Sequence, residues 1–84
     1  MTTIADACTD YGLQRVPAAV LVRLLQSRGR YVETQGLRDA IEAATGDRAS
    51  DGAVSTAVKR IRKSPSAPLI ECRAGVGYRA VDGR

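Results

Sequence analysis

Apolar residues recur along this chain with a helical period for most of its length, and with a strand-like pattern only near its end. Ile4, Ala7, Cys8 and Tyr11 fall at i, i+3, i+4 and i+7, which predicts a short helix with one apolar side. Thr3 can cap it with Asp6 three residues on, a relative of the capping box, and Gly12 supplies the stop. Pro17 suits the first position of a second helix, where its missing N–H would have no partner anyway. Leu21, Leu24 and Leu25 form the inner stripe of that helix, Val20 and Val22 widen it on both flanks, and Gly29 closes it. Arg30-Tyr31-Val32 is a short β-prone piece. Thr34 then reads as the N-cap of a third helix with Leu37, Ala40, Ile41 and Ala44 as its stripe and Gly46 as its stop.

Gly46 to Ser50 reads as a turn, and Ser50 or Asp51 caps a fourth helix, Asp51 also suiting the positive end of its dipole. Ala53, Val54, Ala57, Val58 and Ile61 line the inner face of that helix. Gly52, Ser55, Thr56, Lys59 and Lys63 point the other way, with Arg60 and Arg62 on the flanks. Pro65 ends it. Leu69 to Arg73 and Tyr78 to Val81 then predict two strands joined by a glycine turn, with the Tyr78 ring packed beneath the hairpin. The expected class is α+β: a three-helix core with an extra N-terminal helix over residues 1–14, the main unit over 15–81, and a frayed tail at 82–84.

Charge changes the picture more than composition does. Residues 1 to 54 carry six arginines against seven acids, a net −1, whereas residues 55 to 84 carry seven Lys or Arg against Glu71 and Asp82 alone, a net +5. That asymmetry directs an anionic partner to the last third of the chain. A solvated charged face is the plainer alternative, but here the cations coincide with a helix and a hairpin. The 84 residues suit one domain with a modest core, and 44% apolar residues is an ordinary globular proportion.

Cys8 and Cys72 are the only cysteines and histidine is absent, so no zinc site can be closed and no metal or cofactor is expected. Met1 to Asp6 does not read as a secretory leader, and Val16 to Val22, the longest apolar stretch, is too short to span a bilayer. A cytoplasmic, nucleoid-associated protein is the expectation, with no membrane partner, Cys72 as a small core residue and Cys8 partly buried.

Certain segments are specific in combination. Leu24-Leu25-Gln26-Ser27-Arg28-Gly29-Arg30-Tyr31-Val32 is a leucine-rich helix running into a β-prone piece; Leu37, Ala40 and Ile41 follow. Val54, Val58, Lys59, Arg60, Ile61, Arg62 and Lys63 make a basic helix, and Gly75-Val76-Gly77-Tyr78-Arg79 ends the hairpin. In this order they resemble the winged-helix DNA-binding output domain of OmpR-type response regulators, over roughly residues 16 to 81. The resemblance implies that the helix from about Asp51 to Ser64 enters the major groove of double-stranded DNA. The hairpin from Leu69 to Val81 would be a wing on backbone or minor groove. Ser55, Thr56, Lys59, Arg60, Arg62 and Lys63 would touch DNA from the helix, and Arg73 and Arg79 from the wing. Five to seven such phosphate contacts would give a log K against log salt slope of about −5 to −6.

The residues before the resemblance read as helical, so no receiver domain and no phospho-switch are expected. The Gly46 to Ser50 turn is shorter than the family's loop that touches RNA polymerase, which leaves contact with RNA polymerase open. Arg73-Ala74-Gly75 stands where the family usually has Arg directly before the first glycine, which leaves open whether Arg73 takes the wing-arginine role. Val20, Val22 and the N-terminal helix either make a homodimer or cover the core.

No nucleophile–base pair and no phosphate-cradling glycine loop is legible, so the chain is not expected to be an enzyme. Glu33, Asp39 and Glu42 read as a solvated face. The function expected is a sequence-specific transcriptional regulator. An excisionase-like factor that bends DNA and a protein-interaction module are the alternatives.

Overall fold

The structure, a computed structural model, describes residues 2 to 81. Helices α1 (Ile4–Tyr11), α2 (Arg15–Gln26), α3 (Thr34–Thr45) and α4 (Asp51–Lys63) precede an antiparallel hairpin of β1 (Leu69–Arg73) and β2 (Gly77–Val81). The protein is therefore a small α+β protein of four helices and a two-stranded sheet. The tail expected to fray, 82–84, lies outside the described residues.

Helix α2 is the centre of the core because its apolar residues go most of the way round. Val20, Leu21 and Leu24 are fully buried and Val22 nearly so, and α2 packs on α1, α3, α4 and β2. Each such aliphatic side chain contributes about 1.5–3 kcal/mol by leaving water. The two valine flanks are thus buried within the chain itself. Leu25 is only half-buried. From α3 come Leu37 and Ile41, from α4 Val54, Ala57, Val58 and Ile61, and from the hairpin Ile70 and Ala80. Ala7 and Leu13 extend the same cluster to α1, whose C-terminal end is tied to the segment after α4: the Ser64 hydroxyl donates to the Tyr11 carbonyl at 2.7 Å.

Local chemistry sets the helix ends. Thr3 and Asp6 form a reciprocal capping box on α1, and Ser50 caps α4 by accepting from the Ala53 N–H at 3.2 Å. Helices α1 and α3 stop at Gly12 and Gly46.

Three helix boundaries differ from the expectation. Helix α2 starts at Arg15, which makes Pro17 its third residue; the first turn needs no N–H donor there either. It ends at Gln26, because Ser27 caps it and Arg28 already takes a left-handed conformation (φ 50°) before Gly29. The cap of α3 is Glu33 rather than Thr34, and no side chain bonds the helix start.

The β-prone piece after α2 contributes a single antiparallel bridge. The Val32 N–H donates to the Tyr78 carbonyl at 2.7 Å and the Tyr78 N–H donates back at 3.0 Å. Val32 thus sits on the free edge of β2 and fastens the hairpin to the helical body.

Candidate nucleic-acid interface

Helix α4 divides its residues as its sequence requires. Val54, Ala57, Val58 and Ile61 are buried, while Ser55, Thr56, Lys59, Arg60, Arg62 and Lys63 are exposed. Its acidic residue lies in the first turn and Arg60, Arg62 and Lys63 in the last, as the helix dipole favours. The start of α4 is fixed to α3 across the turn. Arg38 meets Asp51 at 2.9 Å, and the Ala49 N–H donates to the Glu42 carboxylate at 2.9 Å. Glu42 is therefore a half-buried turn brace and not part of a solvated face. Glu33 and Asp39 are exposed, Asp39 accepting from the Gln35 amide.

The hairpin pairs Leu69 with Val81, Ile70 with Ala80, Glu71 with Arg79, Cys72 with Tyr78 and Arg73 with Gly77. Strand alternation puts Ile70, Cys72, Tyr78 and Ala80 on one face and Leu69, Glu71, Arg73, Arg79 and Val81 on the other. The first face covers the core only at its base. Ile70 and Ala80 are buried, Tyr78 is half-buried against the core, and Cys72 is exposed. Cys72 is thus not the core residue expected: it has the inward phase, but it lies on β1, and at that level only its partner Tyr78 on β2 meets the body. Cys8 is half-buried, as expected.

The expected contact residues fall into two groups. Lys59, Arg60, Lys63 and Arg73 are exposed and have no carboxylate partner among the described residues. Arg62 and Arg79 are engaged within the chain. The Arg62 guanidinium donates to the Ile70 carbonyl at 2.9 Å. Arg79 donates to Glu71 at 2.6 Å while its guanidinium lies 4.9 Å from the centre of the Tyr31 ring. The Glu71 carboxylate raises the Arg79 pKa above its ordinary value. Arg79 and Arg62 therefore hold parts of the protein to one another, and Arg73 is the cation left free on the hairpin among the described residues. Ser55 and Thr56 are exposed on the same helix as Lys59.

Sequence reasoning missed the Arg38–Asp51 pair, the Glu42 brace and the Arg62 contact. Each spans a turn whose path the residue pattern does not define. The Glu71–Arg79 pair did carry a signal: two strands folded symmetrically about Gly75 place residues 71 and 79 opposite each other.

Among the described residues no cluster of His, Cys, Asp and Glu could hold a metal ion, and no helix is long and apolar enough to cross a membrane. No family model, curated protein or solved structure matches the chain.

Proposed function

We propose that this protein is a winged helix-turn-helix that binds double-stranded DNA sequence-specifically and regulates transcription. In this reading α3 and α4 are the helix-turn-helix, α4 is the recognition helix and the β1–β2 hairpin is the wing. The observation that carries it is the outer face of α4. Lys59, Arg60 and Lys63 are exposed there beside Ser55 and Thr56, with no acid within the helix after Asp51. Major-groove reading needs a helix whose outward side chains are donors and whose inward side chains fix its pose. The Arg38–Asp51 pair and the Glu42 brace support that pose by setting where α4 begins.

Lys59 lies near the middle of the outward face and is the residue assigned to a base edge or the phosphate beside it. Arg73 on the hairpin is assigned to phosphate. Lys59→Ala then loses about 1–3 kcal/mol on a preferred duplex and less on random-sequence duplex, while Arg73→Ala weakens both by similar factors. Titration of both variants against preferred and scrambled duplexes at one fixed salt concentration checks this. Loss of preference in Arg73→Ala with preference retained in Lys59→Ala would reverse the roles.

One observation favours the DNA-bending reading as a second. Val76 at the hairpin tip is 42% exposed, next to the free Arg73 strand end, and apolar tips of this kind wedge into minor grooves. A bending assay on circularly permuted duplexes, joined to mapping of the binding sites, separates the two: an architectural bender shifts mobility with site position and binds beside an attachment site, whereas a regulator binds beside a promoter.

A further inference from the structure

We propose that Arg62 is a positioning residue, which sets the pose of the hairpin relative to α4, and so acts on DNA only through Arg73. The inference rests on the DNA-binding reading above.

The hydrogen-bond ladder decides which way the Ile70 carbonyl faces. In an antiparallel pair, opposed residues alternate between exchanging both backbone bonds and exchanging none. Tyr78 spends its N–H and its carbonyl on Val32, so Cys72 and Tyr78 are a pair that exchanges none. Two residues along, Ile70 and Ala80 have the same phase. The Ile70 carbonyl therefore faces away from β2, onto the open edge of β1. An edge carbonyl there is left to water unless a side chain reaches it.

Arg62 is that side chain. It leaves the last turn of α4, one residue after the fully buried Ile61, and reaches the carbonyl at 2.9 Å in a half-buried contact. The loop between, Ser64 to Pro68, holds no regular element that could fix the angle of the hairpin. On the opposite edge, the Val32–Tyr78 bridge fixes β2 to the α2–α3 connection. The hairpin is thus seated on the core by Ile70 and Ala80 and held at its two edges, to α4 by Arg62 and to the α2–α3 connection by Val32. Release of the Arg62 edge leaves β1 tied to the body through the Ile70 side chain and, across β2, through Val32, and Arg73, the free cation of that strand, shifts with it. A guanidinium already committed to a carbonyl has less of its donor fork to offer a guanine, so Arg62 reaches the DNA through the geometry it imposes on the hairpin.

The test is a double-mutant cycle read with the free protein in parallel. Arg62→Met keeps the side-chain stem and removes the fork. It is expected to weaken duplex binding about fivefold in the parent background and by less than about twofold in an Arg73→Ala background, because the contact it positions is already gone. In that second background the salt slope stays unchanged, whereas loss of a direct phosphate contact would lower its magnitude by about 1. In the free protein, residual dipolar couplings of the hairpin amides fit the helical frame in the parent and depart from it in Arg62→Met. Additive losses in the two backgrounds, or hairpin couplings unchanged by Arg62→Met, would overturn the proposal. A parent that binds no duplex refutes the DNA-binding reading instead, and the dipolar couplings then still decide whether Arg62 sets the hairpin pose.

Discussion

Ile61→Ala is expected to destabilise the protein by about 2–5 kcal/mol. Ile61 is completely buried and closes the inner stripe of α4 with Val54 and Val58, in the core cluster that also takes Ile70 and Ala80 from the hairpin. Helix α4 packs on both α2 and β1, so no single element can collapse to fill a cavity in its inner face. Domains of this size have only about 5–15 kcal/mol to lose. The midpoint of thermal unfolding should fall by at least about 8 °C. An unchanged midpoint would mean that the inward phase of α4 is wrong, and with it the outward placement of Lys59 and Lys63.

Gly77→Ala should release the hairpin from the body. A Cβ on Gly77 would lie 2.1 Å from the Val32 carbonyl oxygen and 2.7 Å from its carbon, and both atoms are backbone. The φ of 145° is itself in a region that favours glycine. Contact and conformation together should cost about 2–4 kcal/mol, and the cheapest relief is to break the Val32–Tyr78 bridge. Gly75→Ala is the natural comparison, because Gly75 also has a positive φ (76°) but nothing within 4 Å of a new Cβ. It should cost only about 1 kcal/mol. Amide exchange at Val32 and Tyr78 reads the difference: protection is lost in Gly77→Ala and kept in Gly75→Ala. Equal exchange in the two variants would show that the close approach to Val32 does not hold the hairpin.

The helices and hairpin were legible because each carries its own punctuation. Thr3, Ser50, Gly12 and Gly46 stand where capping chemistry needs them, and the stripe of α4 is sharp enough to fix its rotation. The strand pattern at the end was legible too, to within one residue at Gly77. What the pattern could not carry was reach. A periodicity argument places Cys72 on the inward face but does not say that at its level only β2, through Tyr78, meets the body. It places Arg62 on an accessible flank but does not say that the Ile70 carbonyl comes within hydrogen-bonding distance. Long cationic side chains find the nearest acceptor in three dimensions, and that acceptor is set by the course of the loop after Ser64. The start of α3 was ambiguous for a smaller reason: neither Glu33 nor Thr34 makes a side-chain cap, so nothing at that position distinguishes them.

These internal engagements change the arithmetic of DNA binding. With Arg62 and Arg79 held inside the protein, the free cations of helix and hairpin are Lys59, Arg60, Lys63 and Arg73 among the described residues. Four phosphate contacts correspond to a slope of log K against log salt of about −3.6 on duplex DNA, shallower than the slope of about −5 to −6 expected from five to seven contacts. Binding to a random-sequence duplex, measured from low to near-physiological salt, is the most direct test of the central claim. A slope between about −3 and −4 is the predicted result. No binding at low salt, or a slope near zero, would contradict the assignment of α4 and the hairpin to DNA.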